Sequence, residues 1–169
     1  MPIHSHLTLL VVFFIHLAEG MAQEDTEPRE YHHCFFEEKS FSVGLGTIYA
    51  LESNLTRITG KIYYNLGENF CFGPEYALFN SNGIESKDLN LVAHYIFETP
   101  WVGVYPIGGI NYTWEKHAEH SPEEGFGLVY GLGLHRNVQN FTFFSEYSRR
   151  EGELPEQSIS AGILFSFKL

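Results

Sequence analysis

From residue 126 onward the chain separates large apolar side chains from small or polar ones at every second position. The even positions run Phe126, Leu128, Tyr130, Leu132 and Leu134, with Gly127, Gly131 and Gly133 between them. The last stretch does the same on its odd positions. Ile159, Ala161, Ile163, Phe165 and Phe167 face one way, Ser158, Ser160, Gly162 and Ser166 the other, with Leu164 the one exception. A period of two marks strands whose two faces meet different surroundings. A soluble barrel packs its large apolar residues inside, but here the small ones are better suited to a narrow interior. The pattern predicts a barrel whose apolar face meets lipid.

Segments of this kind recur along the chain. The first, Phe41 to Leu51, sets Phe41, Val43, Leu45 and Tyr49 against Ser42, Gly44 and Gly46. The second, Arg57 to Leu66, places Ile58, Ile62, Tyr64 and Leu66 outward and Arg57, Thr59, Lys61 and Asn65 inward. In the third, Phe70, Phe72, Tyr76 and Leu78 alternate with Cys71, Gly73, Glu75 and Ala77. In the fourth, Leu89, Leu91, Ala93, Tyr95 and Phe97 oppose Asn90, His94 and Glu98. The fifth, Trp101 to Trp114, is interrupted by Pro106, which cannot donate to a ladder, so a bulge or kink is expected there. Gly125 to Arg136, Phe141 to Arg149 and Gln157 to Phe167 complete a set of eight.

The connections sort into two kinds. Turn-like links lie at Leu66–Asn69, Glu98–Pro100 and Arg136–Gln139, and longer charged ones at Asn80–Asp88, Glu115–Glu124 and Arg150–Glu156. Glu52 to Thr56 is compact where a long loop is expected. Alternation of this kind is what an up-and-down barrel requires when its two ends face different compartments. The fold class that follows is all-β, an eight-stranded antiparallel up-and-down transmembrane β-barrel. Tyr49, Tyr64, Tyr95, Trp101, Tyr112 and Trp114 are candidates for its interfacial aromatic belts.

Composition adjusts this picture only in places. The chain has 169 residues, which suits one domain, with 15 Phe, 10 Tyr and 16 Gly. A net charge of −11 excludes a nucleic-acid binder, which needs a basic surface. Mean hydropathy of −0.13 resembles that of a soluble protein, because a polar lumen and loops dilute the lipid-facing half. Leu7 to Ala18 is an apolar run followed by small residues, which reads as a signal peptide over residues 1–22 cleaved after Ala22, although its n-region lacks Lys and Arg. Residues 23–38 form a polar periplasmic lead-in, and 39–169 the barrel. Cys34 and Cys71 are the only cysteines and could either pair in an oxidising compartment or remain thiols.

The mature region resembles the small eight-stranded outer-membrane β-barrels of Gram-negative bacteria, the class related to the membrane domain of outer membrane protein A. The segment that carries most of the likeness is Phe143-Phe144-Ser145-Glu146-Tyr147 followed, after a loop, by residues 158–167. The resemblance implies an outer-membrane location after signal cleavage, with membrane lipid and lipopolysaccharide as neighbours. It also implies recognition of the last strand by the barrel-insertion machinery. In that family an aromatic residue stands near the terminus. This chain ends at Leu169, two residues past Phe167, so Phe165, Phe167 and Leu169 would serve as the insertion signal.

Candidate chemistry lies mostly on the inward positions. Arg57, Lys61, Glu75, His94, His135 and Glu146 fall there. Buried charges demand partners, so Glu75 and Glu146 are the expected acceptors for Lys61 and Arg57. A filled, polar lumen is the expected role of this network. Catalysis is not expected. Glu146-Tyr147-Ser148-Arg149 resembles the site of outer-membrane lipid A acyl-ester hydrolases, but Glu146 stands where that family has the His that activates Ser. Only His117 and His120, in a loop, could substitute. Tyr31-His32-His33-Cys34 offers metal-ligand types, yet adjacent residues on an extended chain point apart, and no metal or cofactor is expected. The glycosylation patterns at Asn54, Asn111 and Asn140 are chance matches in a bacterial protein. A soluble lipocalin-like carrier is the alternative fold. It would need charged outward faces, and its Gly-x-Trp opening is replaced by Gly44-Leu45-Gly46.

Overall fold

The computed structural model describes residues 36–81, 84–99, 101–117, 121–138 and 141–168. The strands are β1 (Ser40–Ala50), β2 (Thr56–Gly67), β3 (Phe70–Ser81), β4 (Ile84–Tyr95), β5 (Phe97–Glu98), β6 (Gly103–His117), β7 (Glu123–Val138), β8 (Phe141–Gly152) and β9 (Glu156–Phe167). Each pairs antiparallel with its neighbour, and β1 pairs with β9, so the sheet closes into a barrel of eight long strands. Closure leaves no free edge along the barrel wall, the condition for crossing a bilayer with strands.

The two-residue β5 continues β4. His94 faces Ile107 and Phe97 faces Val104 in one unbroken frame, and the ladder lapses only opposite Tyr105 and Pro106. The bulge expected at Pro106 is therefore absent: a missing N–H removes a ladder bond without shifting the register. Pro74 acts the same way, interrupting the β2–β3 ladder between Lys61↔Glu75 and Tyr64↔Phe72. The register shift the barrel does contain lies at Asn65/Gly67, beside the β2–β3 turn.

A second expectation is also corrected. Residues 80–81, 84–88, 115–117 and 123–124 belong to strands, with β3 and β4 separated by residues 82–83 and β6 and β7 by 118–122. The two ends differ in charge more than in loop length. Beyond the lipid, neighbouring strands keep their hydrogen bonds while the outward face meets water, so the apolar alternation stops before the strand does.

Alternation sorts the side chains cleanly. Leu45, Phe126 and Trp101 are more than 70 % exposed, whereas Tyr63, Phe144 and Lys61 are at most 2 % exposed. Leu164, the exception in the last-strand pattern, points into the lumen at 4 % exposure. The exposed apolar wall is the inverse of a soluble carrier's surface and removes the lipocalin reading. Near the chain termini the outward rings form a connected belt, Phe141–Phe165–Phe167–Phe41–Tyr64–Phe72–Phe70, with centroids 5.1–6.4 Å apart. At the opposite end tyrosine hydroxyls reach polar groups: Tyr49 to Asn54, Tyr112 to Glu124, Tyr130 to Glu151 and Tyr147 to Gln157. An apolar ring with a polar tip suits a membrane–water boundary. Beyond β9, Lys168 donates to Glu37 at 2.9 Å; this contact raises the lysine's pKa and ties the two ends of the barrel chain together.

Candidate functional site in the barrel lumen

The centre of the lumen is a tier built from cross-strand neighbours. Lys61 on β2 faces Glu75 on β3, Glu75 faces Asn90 on β4, and Asn90 faces Asn111 on β6. The side chains follow this ladder. Lys61 Nζ donates to Glu75 at 2.8 Å, Asn90 to Glu75 at 3.3 Å, and Asn111 to Asn90 at 2.6 Å. From the far wall Glu146 on β8 accepts from Lys61, from Ser160 at 2.8 Å and from Tyr105 at 2.9 Å. Tyr63 donates to Glu75, and the Lys61 ammonium lies 4.4 Å from the centre of the Phe144 ring. Desolvating charges is costly, and geometry of this kind, with every carboxylate multiply bonded, offsets it.

An upper tier, nearer the connections 51–55 and 153–155, joins Arg57 and Arg150 to Asp88 and Glu156. Arg57 lies 3.2 Å from Asp88 and also bonds Glu156, and Arg150 bonds both carboxylates. Thr113 donates to Asp88 at 2.8 Å and Ser53 to Glu156 at 2.7 Å. The expected pairing of Arg57 with Glu75 or Glu146 gives way to this arrangement. Lys61 takes both of those acceptors, and Arg57 lies four residues nearer the 51–55 connection on the same face of β2. Asp88, Arg150 and Glu156 were missed because the sequence reading assigned them to loops. Their parity carried the signal: Asp88 continues the inward phase of Asn90 and His94, Arg150 that of Glu146, and Glu156 that of Ser158 and Ser160.

The lower lumen is closed by rings. Tyr63, His94, Tyr105, His135 and Phe36 follow one another in edge-on and tilted contacts with centroids 4.9–5.4 Å apart. Phe36, the end of the expected lead-in, is buried, and its N–H donates to Glu68 at 3.1 Å. Gly133 lies so close to the Tyr105 ring that a Cβ there would collide with it. Cys71 is a buried thiol with Sγ 3.7 Å from His94 Nδ1. Cys34 and the His32–His33 pair lie outside the described residues, so the Cys34–Cys71 pairing does too, as do the signal segment and most of the lead-in. Phe165 and Phe167 belong to the outward belt, and Leu169 lies outside the described residues.

Between the two charged tiers is a small cavity of about 20 Å³, lined by Arg57, Lys61, Glu75, Asp88, Glu146 and Arg150 among others. That is space for about one water molecule. Ser148, the hydrolase candidate, contacts Ser158 Oγ at 3.0 Å, and its neighbour Glu146 is committed to Lys61, Tyr105 and Ser160. The alternative bases are outside reach of description: residue 120 and the His117 side chain are not described.

The fold is that of the eight-stranded outer-membrane β-barrels. The N-terminal β-barrel domain of OprF from Pseudomonas aeruginosa superposes with a TM-score of 0.67 at 18 % identity, covering 77 % of this chain and 98 % of that one. The outer membrane protein OprG from the same organism gives 0.53 at 12 %, covering 80 % and 99 %. A de novo designed transmembrane β-barrel gives 0.55 at 16 %, covering 79 % and 99 %. No family model and no curated protein sequence matches the chain. At these identities the likeness concerns architecture.

Proposed function

We propose that the chain is a non-catalytic outer-membrane barrel of a Gram-negative envelope, with a structural or surface-interaction role performed at its outer rim. The observation that carries this reading is the contrast across the wall: an exposed apolar belt bounded by aromatic rings outside, and a lumen filled by two charged tiers and a cluster of rings inside. Among the described residues the lumen is filled by side chains, which leaves the exposed ends as the surfaces for interaction. The rim at the end of the barrel away from the termini is acidic. Glu52, Glu85, Glu115, Glu123, Glu124, Glu151 and Glu153 outnumber Lys87, Lys116 and Arg149 there. Such a rim favours cationic partners and meets lipopolysaccharide phosphate through bridging divalent cations, since like charges repel directly.

Fractionation of cells with a heat-modifiability gel tests the reading. The expected result is a faster-migrating unboiled band in the outer-membrane fraction and no discrete conductance when the protein is placed in a planar lipid bilayer. A soluble periplasmic protein without a mobility shift, or stable large-conductance openings, would sink it.

A further inference from the structure

We propose that Glu75, Glu146 and His94 form a buried site for one divalent transition-metal cation, with Lys61 as the neighbouring charge that tunes its affinity. A carboxylate oxygen from each glutamate and a ring nitrogen of His94 lie within 4.8 Å of one another, and all three residues are buried. Ligand atoms around a metal stand about 2 Å from it, so a small inward movement of the side chains closes the site. The residues come from β3, β4 and β8, which no spacing in the sequence reveals.

Two further observations point to a cation. First, His94 is 4 % exposed, yet its Nε2 has no hydrogen-bond partner. A buried polar nitrogen left bare is costly until something binds it. Its other nitrogen, Nδ1, faces Cys71 Sγ at 3.7 Å. In the tautomer that carries its proton on Nδ1, Nε2 presents its lone pair, and a partner on the other ring nitrogen is a feature of metal-ligating histidines. Second, the charges are uneven. The upper tier sets two guanidinium groups against two carboxylates, but the middle tier sets one ammonium, Lys61, against two. One imidazole with two carboxylates is a donor set suited to Zn²⁺ or Co²⁺. Lys61 bonds both carboxylates and repels a dication, so it keeps the affinity low and sets it.

The test uses the full chain in detergent micelles titrated with Co²⁺, read by its visible absorption, with stoichiometry from elemental analysis of dialysed protein. One Co²⁺ per chain is expected. Lys61→Met should tighten binding by about tenfold or more, as removal of an adjacent like charge predicts. His94→Ala should abolish binding in both backgrounds, and Cys71→Ser should weaken it without abolishing it. Heat-modifiable migration is checked for every variant, and His94→Gln replaces His94→Ala if the latter does not fold. A variant lacking His32, His33 and Cys34 should bind as the parent does. The proposal is overturned if Lys61→Met binds no Co²⁺, or binds no more tightly than the parent. It is equally overturned if binding survives loss of His94 or disappears with the three lead-in residues.

Discussion

Arg57 and Ile58 are adjacent on β2 and answer to opposite solvents. Arg57 is 2 % exposed and tied to two carboxylates, whereas Ile58 is 61 % exposed on the apolar outer wall beside Leu78. The same contrast runs around the barrel. Outside, a side chain need only be apolar, because lipid accepts any shape. Inside, each charged group has partners on another strand, because a buried charge is costly unless it is paired. The lumen is therefore specified residue by residue and the outer wall only by class.

This contrast can be broken from the inside first. Lys61→Ala leaves Glu75 and Glu146 buried without their shared cation, and a loss of about 3–5 kcal/mol is expected in denaturant unfolding from micelles. The combination Lys61→Met, Glu75→Gln and Glu146→Gln should recover most of that loss, because it removes the charges together. Recovery of nothing would mean that lumen shape, and not charge compensation, dominates. Phe144→Ala deletes the ring beneath the Lys61 ammonium and should cost roughly 3–5 kcal/mol, measured the same way. On the lipid face, Leu91→Arg should cost about 2–4 kcal/mol when the barrel is folded into lipid vesicles. That penalty should shrink in vesicles of thinner bilayers, and an unchanged value would place Leu91 away from the midplane. The smallest effect is expected for Ile58→Leu, within about 0.5 kcal/mol; a larger change would show that the outer wall has specific partners after all.

The extent to which the sequence disclosed each part follows from the same physics. Strand phase was legible nearly everywhere, and with it the inward placement of Lys61, Glu75, His94, His135 and Glu146. Strand ends were not, because apolar alternation stops where the outward face meets water at Lys87, Arg149 and Gln157. That is why Asp88, Arg150 and Glu156 were placed in loops although they complete the upper tier. Tyr63 and Tyr105 were also passed over as lumen residues, since a large aromatic ring on the small-residue face breaks the pattern the reading relied on. Pro106 was overread: its effect on the ladder was real, its effect on register was not.

Sequence alone determined the architecture, because a two-residue period with its apolar face outward has few ways to satisfy every backbone group in a membrane. Tertiary structure alone decided which charges meet. Lys61 and Glu146 are far apart in the chain and come together only through closure of β9 on β1 and the tilt of the strands, which also set Arg57 beside Glu156. Pattern records the face on which a side chain lies. Register and closure decide what stands opposite it.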